Sequence, residues 1–464
     1  MGKPGVKVSN QLAMHEKNLK AWVNDQPPIY KSKGVMIMQN VTEKKSNYGW
    51  IMMLLASLLG FAVMTFTVTP ISLFVVPITK ELGYARSSYT LTQTFQFAGV
   101  IISSLMFGST ISKYGVRKVI TFGAILQAIG FFILSKSTSL PMFYTGGFLM
   151  GFASGFCAVS AASTIINTWF AKRSGFIVGL VFTFTSFGGI IWNPVIGGWI
   201  AKFGWRQAFL YIAMLVFGIS ILLALLLRDK PEDVGQVPVY FDSTSKNDEK
   251  KNEVKGMTFQ EAIKTPKLKM LLLLIFLCGI AIPPTVATIP AYLNDLGLQV
   301  AVLWGVANSV VLFVNTISKI PLSAATDKYG VKSLISIALL GYVLAIVCMI
   351  LAGPETVFFV FIAAGCMGFA VLMTSVPMPI IVRQFFGNKD FAKIMGVIFA
   401  TFSIGQALAT PTMNLVYDML GSYKYVYYAL LPTAVIIFAL GWVATSDKPE
   451  HLIIKSKDNL EKSY

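Results

Sequence analysis

The sequence predicts an all-α polytopic membrane protein in which twelve transmembrane helices form two pseudo-symmetric six-helix halves. Three observations support this prediction: an apolar composition, a series of long apolar runs and an internal repeat. Of the 464 residues, 55% are hydrophobic and only 13% are charged, and the mean hydropathy is +0.68. A soluble domain needs more charge to cover its surface, so a membrane protein is predicted.

The apolar runs define the predicted helices in order. A run crosses a hydrocarbon layer of about 30 Å when it supplies about 20 helical residues. The runs are continuous and do not alternate with a period of two, so helices are predicted and a β-barrel is not. The first run is longer than a signal-peptide core of roughly 7–15 residues, so it is predicted to remain as a span. The predicted spans are 48–79, 88–111, 118–135, 141–168, 175–201, 206–227, 270–292, 299–324, 331–352, 355–382, 394–418 and 424–445.

A repeated motif relates the two halves. The pentapeptide at 113–117, Lys-Tyr-Gly-Val-Arg, returns at 328–332 as Lys-Tyr-Gly-Val-Lys, an offset of 215 residues (328 − 113). Parallel halves related by an axis along the bilayer normal are a transporter architecture, with substrate held near the membrane midplane. A second set recurs at an offset of 217 (403 − 186): Ser186, Gly188 and Pro194 match Ser403, Gly405 and Pro411.

The placement of positive charge predicts the topology. Lysine and arginine are concentrated in alternate loops and in the central loop, so the positive-inside rule places both termini and that loop in the cytoplasm of a multi-pass plasma-membrane protein. The formal charge of +17 is therefore assigned to topology and not to nucleic-acid binding. The predicted segments are an N-terminal tail 1–47, a six-helix half 48–227, a linker 228–269, a six-helix half 270–445 and a C-terminal tail 446–464.

Lys319 is the candidate substrate-binding cation. Asp327 marks the cytoplasmic end of the same helix eight residues later, which places Lys319 about 12 Å deeper at 1.5 Å per residue. A lysine at that depth costs roughly 2.5–3.5 kcal/mol on insertion scales, so such residues generally face a protein or water-filled interior and mark substrate or ion pathways. The alternative is that Lys319 snorkels towards the cytoplasm or pairs with a carbonyl group of a neighbouring helix.

Three neutral residues are predicted to assist Lys319. Asn315 lies four residues earlier on the same helical face, where it can donate a second hydrogen bond or orient the ammonium group. Gln406 in the eleventh span and Asn193 in the fifth are the other predicted substrate contacts. Interhelical hydrogen bonding would explain Gln406 equally well.

Proline and glycine positions predict bends and close helix contacts. Proline disrupts the helical hydrogen bond to residue i−4, which leaves carbonyl groups and bends where a cavity can form, although a packing kink is an equally good explanation. A stripe of small residues in the fourth span predicts close contact with a neighbouring helix. The prolines are Pro70, Pro194, Pro283, Pro284 and Pro411, and the stripe is Gly147, Gly151 and Gly155.

The repeated loop motifs predict a cytoplasmic gate. Their glycines allow a tight turn, and the flanking cations can cap helix C-termini and reach acidic groups on the cytoplasmic face. The alternative is that these charges only set the topology. The predicted gate residues are Lys113, Gly115 and Arg117 in the first half and Asp327, Lys328 and Gly330 in the second.

The polar residues of the spans do not indicate an enzyme. The two histidines, His15 and His451, lie in the tails, and Asp295 and Asp418 lie near helix ends. A proton relay of histidines or carboxylates within the membrane is therefore not predicted, and neither is a catalytic residue, a metal or a cofactor. ATP as an energy source is not indicated either, because the sequence has no Walker-type loop.

These features resemble the major facilitator superfamily over 48–445. The stretch 108–118 is similar to the family's signature between the second and third spans, but Ser112 stands where an aspartate is usual, whereas Asp327 supplies it in the second half. The stretches 48–50, 169–175 and 204–206 resemble the monocarboxylate porter and oxalate:formate antiporter group. Asn315 and Lys319 are similar to that group's pair in the eighth span, where the resemblance implies that the cation binds a substrate carboxylate.

Two departures from that group refine the expected substrate. Ile71 stands where monocarboxylate porters often have a lysine, and neutral Gln406 replaces the second cation associated with oxalate exchange. We therefore expect a monomeric secondary transporter of a small organic monoanion, coupled either to a counter-anion or to a proton. The alternatives are a porter for a neutral or lipophilic solute, with Lys319 structural, and a membrane receptor that transports nothing.

Overall fold

The computed structural model describes residues 48–68, 70–157, 159–170, 174–236, 256–329, 331–374, 377–387 and 389–444, and these residues are almost entirely helical. No β-strand occurs in these ranges, which contain one isolated bridge between Gly256 and Gly387. The predicted all-α fold is therefore confirmed. The predicted tails 1–47 and 446–464 lie outside the described residues.

The described helices correspond to the twelve predicted spans, labelled α1–α12. By length and composition, ten helices are long and apolar enough to cross a membrane, one of which contains both α5 and α6. Gly204, with φ of 79°, separates these two spans. The bounds are Tyr48–Leu58, Leu59–Met64, Thr65–Val68, Pro70–Phe74 and Val75–Leu82 for α1; Arg86–Tyr114 for α2; Val116–Lys136 for α3; Leu140–Phe156 and Val159–Trp169 for α4; 174–203 for α5; 205–226 for α6; Pro266–Asp295 for α7; Ala301–Tyr329 for α8; Val331–Leu351 for α9; Phe358–Val371, Leu372–Thr374 and Pro377–Phe386 for α10; Phe391–Leu420 for α11; and Lys424–Ala444 for α12.

Short connections make successive helices alternate in direction, which gives the bundle two ends. We call one end the linker face, because α1 and α7 begin there and α6 and α12 end there. The Tyr48 hydroxyl group donates to the Leu226 carbonyl oxygen at 2.5 Å, which joins the start of α1 to the end of α6. We call the opposite end, where α1, α7 and α11 end, the far face.

The glycine stripe of α4 brings this helix against α2, as predicted. A Cβ atom on Gly147 would overlap Thr92, and one on Gly151 would overlap the carbonyl group of Gln96. Only residues without a side chain allow two backbones to approach this closely. The stripe therefore fixes where Gln96 sits beside the interior of the bundle.

Helix α1 is irregular in the middle of its length. It contains a π-helical segment, Leu59–Met64, and a 3₁₀ segment, Pro70–Phe74. The Gln127 side chain donates to the Val63 carbonyl oxygen at 2.7 Å, and the Gln96 side chain donates to the Thr67 carbonyl oxygen at 2.7 Å. Polar side chains from α3 and α2 thus satisfy backbone groups in the part of α1 that faces the interior.

Two prolines create matching hydrogen bonds between the halves. Pro194 in α5 cannot donate to the carbonyl group of Ile190. The Ser309 hydroxyl group of α8 lies 2.8 Å from that oxygen and 3.0 Å from the Gly305 carbonyl oxygen of its own helix, so its one proton is shared between the two acceptors. The counterpart of Pro194, Pro411 in α11, leaves the Ala407 carbonyl oxygen for the Thr94 hydroxyl group of α2, at 2.5 Å. The donors are 215 residues apart (309 − 94) and the acceptors 217 (407 − 190), the two offsets of the sequence repeat.

Removing either donor is expected to lower the free energy of unfolding by about 1 kcal/mol, because a freed carbonyl group then lacks a partner. The variants are Ser309→Ala and Thr94→Val, and equilibrium unfolding in detergent is the measurement. Thr412→Val is the matched control, since the Thr412 hydroxyl group bonds the Leu408 carbonyl oxygen of its own helix. Losses no larger than that of the control would contradict this role.

Candidate functional site

A cavity of about 440 Å³ lies between the two halves. It is lined by residues of α1, α2, α4 and α5 from one half and of α7, α8, α10 and α11 from the other. Its walls are mostly apolar, and no charged side chain is among the described residues that line it. The carboxamide side chains in the lining are Gln93, Gln96, Asn193, Asn308 and Gln406.

Two of the predicted substrate contacts, Asn193 and Gln406, line this cavity. Asn193 is fully buried, and neither its Nδ2 nor its Oδ1 atom has a hydrogen-bond partner. Asn308, which the sequence interpretation missed, donates from Nδ2 to the Ser72 hydroxyl oxygen at 3.1 Å, while its Oδ1 atom has no partner. The cavity lining therefore contains buried amide groups whose hydrogen-bonding capacity is not satisfied within the protein.

Lys319 lies beyond the cavity, towards the linker face, and is half-buried. It follows the cavity residue Leu312 by seven residues, nearly two full helical turns, so the two residues lie on the same side of α8. The opposite side carries Phe313 and Ile317, whose exposed fractions are 53% and 56%. The side of α8 that bears Lys319 is thus the cavity side and not the exposed side.

Asn315 has a structural contact in this conformation. Its Nδ2 atom donates to the Gly368 carbonyl oxygen of α10 at 3.1 Å, and the residue is 2% exposed. The structure therefore brings Asn193 and Gln406 to one cavity and places Lys319 beyond it on the cavity side of α8, but neither Lys319 nor Asn315 is in the cavity lining. Direct substrate contact by Asn315 stays a prediction.

A charged cluster joins the halves at the far face. The Arg86 guanidinium group, at the start of α2, forms a bidentate ion pair with the Asp295 carboxylate at the end of α7, and both N–O distances are 2.7 Å. The two side chains are only 10% and 20% exposed. The guanidinium carbon also lies 4.0 Å from the ring centroid of Tyr417, in α11. We call Arg86, Asp295, Tyr417 and Asp418 the far-face lock.

Asp418 completes this lock by capping a helix of the other half. Helix α2 follows Ala85, which supplies no side-chain cap of its own. The Asp418 carboxylate accepts hydrogen bonds from the backbone N–H groups of Arg86 and Ser87 at 3.2 and 2.8 Å. A carboxylate at a helix N-terminus satisfies free N–H groups and interacts favourably with the helix dipole.

The first predicted gate motif contacts the end of α6 and the residues that follow it. Gly115 has φ of 82°, and the Asp229 carboxylate lies beside it. Asp229 accepts from the Arg117 backbone N–H group at 2.7 Å, and the Arg117 side chain caps the end of α6 by donating to the Ala224 carbonyl oxygen from Nε, at 2.9 Å, and from Nη2. Asp229 thus supplies, from beyond α6, a carboxylate next to the loop in which Ser112 replaces the usual aspartate.

The other predicted gate residues are described only in part. The ammonium group of Lys113 lies 5.1 Å from the ring centroid of Tyr114. Asp327 and Lys328 lie on α8, but their side chains are outside the described part of the structure, as is Gly330 altogether. A latch formed by these residues stays a prediction.

The sequence gives only a weak signal for the functional residues that were missed. Arg86, Asp295 and Asp418 appear there as charges near helix ends, without any indication that they meet. Asn308 precedes Lys319 by 11 residues, close to three helical turns, so a search for polar residues on the Lys319 side of α8 would have found it.

Comparisons with known proteins agree with this architecture. A family model described as the Major Facilitator Superfamily matches residues 52–314 and 304–462. The uncharacterized MFS-type transporter YhjX of Escherichia coli is 25% identical over 350 residues, 72% of this chain and 80% of that protein. The probable sulfoacetate transporter SauU of Cupriavidus necator is 24% identical over 160 residues, which cover 34% of this chain and 35% of SauU.

Solved structures with the same fold are also transporters. The nucleoside transporter NupG superposes with a TM-score of 0.68 at 14% identity, covering 87% of this chain and 100% of NupG. A bacterial homologue of the human lysosomal transporter Spinster, in an inward-facing and unoccupied conformation, gives 0.68 at 14%, covering 87% of this chain and 98% of that one. At such low identity these likenesses show the fold alone. Because the family model matches more than half of the chain, the protein belongs to the Major Facilitator Superfamily and is a secondary transporter, not an enzyme.

Proposed function

We propose that this transporter carries a small organic monoanion across the plasma membrane, with Lys319 as the ligand of the substrate carboxylate. The observation that supports this proposal is the position of Lys319 on the cavity side of α8, next to a cavity whose described lining is uncharged. Among the described residues, no carboxylate forms an ion pair with Lys319. A membrane cation without such a partner is matched by a ligand with one negative charge.

The proposed transport mechanism is alternating access by rocking of the two halves. Ion pairs and hydrogen bonds between the halves, including the far-face lock and the bonds of Thr94 and Ser309, lie in the part of the bundle nearer the far face. By the positive-inside rule we assign the linker face to the cytoplasm, so this conformation has its outer end closed. The predicted gate residues would close the cytoplasmic end in the opposite state.

Resemblance to other anion transporters gives this proposal further support. Asn315 and Lys319 match the paired positions of the monocarboxylate porter and oxalate:formate antiporter group. SauU, one of the relatives, is described as a probable transporter of sulfoacetate, an organic anion that carries a sulfonate group as well as a carboxylate, so it supports the anion class and not the single charge. The neutral residues Ile71 and Gln406 favour a substrate with a single negative charge.

A neutral polar solute is the second candidate, and the cavity itself favours it. All five carboxamide groups of the lining are neutral hydrogen-bonding groups that suit a hydroxylated or heterocyclic solute. NupG, which shares the fold, is described as a nucleoside transporter. In this alternative Lys319 would have a structural role.

A ligand-binding comparison separates the two candidates. A bound ligand raises the melting temperature of the protein by mass action. We expect small monocarboxylates such as pyruvate and formate to stabilise the purified protein, and Lys319→Gln to abolish the shift. Lys136→Gln, at an exposed position at the end of α3, is the matched control. Stabilisation by a neutral sugar or nucleoside that persists in Lys319→Gln would favour the second candidate and refute the first.

A further inference from the structure

The unsatisfied amide groups of the cavity lining indicate which hydrogen-bonding groups a ligand needs. Asn193 is fully buried in the lining, and both polar atoms of its side chain are without partners. Exchanging its Oδ1 and Nδ2 atoms leaves the same requirement, one acceptor and one donor. The Oδ1 atom of Asn308 adds a second acceptor without a partner. A single ligand group can satisfy both atoms of the Asn193 amide if it both donates and accepts hydrogen bonds.

The need for both a donor and an acceptor distinguishes between the polar groups that a ligand could carry. A hydroxyl group or a carboxamide group can donate and accept, whereas a keto group can only accept. A keto group would leave the Oδ1 atom of Asn193 unsatisfied. Sites built to bond a hydroxyl or N–H group discriminate strongly against analogues that lack it, since their own buried polar groups then remain unpaired.

The position of Lys319 determines how far apart the carboxylate and the distal polar group of the ligand must be. Asn308 and Lys319 are 11 residues apart on α8, about 16 Å along the helix axis at 1.5 Å per residue. The Cα–Cβ bond of a helical residue tilts towards the start of the helix, which is the cavity direction for Lys319, but the five side-chain bonds of about 1.5 Å each cover less than half of that distance. The hydroxyl and carboxylate groups of a two-carbon hydroxy acid are too close together to reach both ends.

The wall between the two ends is mostly apolar. Val311 and Leu312 of α8 line it, with Ile71 of α1 and Phe402 of α11 among the other lining residues. A hydrocarbon segment of the ligand would be buried against these apolar side chains.

We infer that the substrate is an elongated monoanion with a carboxylate at one end, an apolar middle, and a hydroxyl or carboxamide group at the other end, near Asn308, that binds Asn193. This inference rests on the proposed function, because it takes Lys319 as the carboxylate ligand. Asn193 is then the residue that determines specificity for the distal polar group.

Three acids test this inference: ω-hydroxyhexanoate, hexanoate and the two-carbon hydroxy acid glycolate. Their affinities are measured by thermal shift of the full-length protein and of three variants. We expect the wild-type protein to bind ω-hydroxyhexanoate about tenfold more tightly than hexanoate, because the terminal hydroxyl group satisfies the Asn193 amide. We expect it to bind glycolate more weakly than either six-carbon acid. Asn193→Leu is expected to remove the preference for the hydroxyl group, whereas Asn167→Leu, at an exposed asparagine of α4, is expected to keep it.

The possible results separate this inference from the proposed function. Lys319→Gln is expected to weaken binding of both six-carbon acids about equally, and to preserve their ratio. Equal affinities for the two acids in the wild-type protein, both weakened by Lys319→Gln, would overturn the inference and leave the proposed function intact. If glycolate bound as tightly as ω-hydroxyhexanoate, the inferred distance between the carboxylate and the distal polar group of the substrate would be wrong. Affinities that Lys319→Gln leaves unchanged would overturn the proposed function. The wild-type comparison of acids stands even if Asn193→Leu does not fold.

Discussion

Replacing Arg86 with alanine is expected to open the far face and shift the protein towards the opposite state of its transport cycle. The change removes the ion pair with Asp295 and leaves that carboxylate without the guanidinium group that neutralises it. Removing one partner of a buried pair costs roughly 3–5 kcal/mol, and the partial exposure of both side chains reduces this to about 2 kcal/mol. Because every 1.4 kcal/mol is a factor of ten, the balance between the states should shift about thirtyfold.

A distance between two labels across the far face measures this shift. Lys202 and Glu355 are exposed positions near the far face, one in each half, and each can be changed to cysteine in a chain whose four native cysteines are replaced. We expect one short distance with Arg86 present, and a longer, dominant distance in Arg86→Ala and in Asp295→Asn.

Arg206→Ala is the matched control for this experiment. Arg206 is also an arginine of the far face, and it pairs with Glu81 at 3.3 Å, but both residues belong to the first half and are substantially exposed. Its removal should leave the label distance unchanged. If Arg86→Ala and Arg206→Ala gave the same distances, the far-face lock would have no part in holding the halves together.

The helices and their bends could be predicted from the sequence, because their causes are local. Continuous apolar runs specify the spans, and Gly147, Gly151 and Gly155 recur at the spacing that places them on one face of α4. The matched prolines Pro194 and Pro411 also appear in the sequence repeat. The hydrogen bonds that these prolines make possible could not be predicted, since the donors to the freed carbonyl groups, Ser309 and Thr94, each come from the other half.

The charged contacts could not be predicted, because their partners are distant in sequence. Arg86 and Asp295 are 209 residues apart, and Asp229 meets Arg117 across 112 residues. A sequence shows that a charge lies near a helix end, but which helix end is its neighbour depends on how twelve helices pack. The same limit applies to Asn315, whose donor group is directed to the Gly368 carbonyl oxygen of α10.

Replacing Lys319 with glutamine is expected to reduce exchange of a labelled monocarboxylate in proteoliposomes about 100-fold. A charge-assisted hydrogen bond contributes about 1.5–3 kcal/mol, which corresponds to roughly 10–100-fold in binding, and transport also requires the anion to enter an otherwise uncharged cavity. Lys319→Arg keeps the charge on the same side of α8, so we expect exchange within about tenfold of the wild-type rate, reduced by the different shape of the guanidinium group. Lys136→Gln again serves as the control.

The arginine variant also identifies the coupled ion. Arginine stays protonated at any pH that a protein tolerates, whereas a buried lysine can release its proton. Because Lys319 is the titratable group on the cavity side of α8 among the side chains that the structure describes, and the described lining of the cavity contains none, we expect a proton cycle through the substrate site to use Lys319 itself. We expect anion exchange with a fixed positive charge, so Lys319→Arg should respond to a pH gradient as the wild-type protein does. Uptake that a pH gradient drives in the wild-type protein but not in Lys319→Arg, with exchange preserved, would show instead that Lys319 carries the proton.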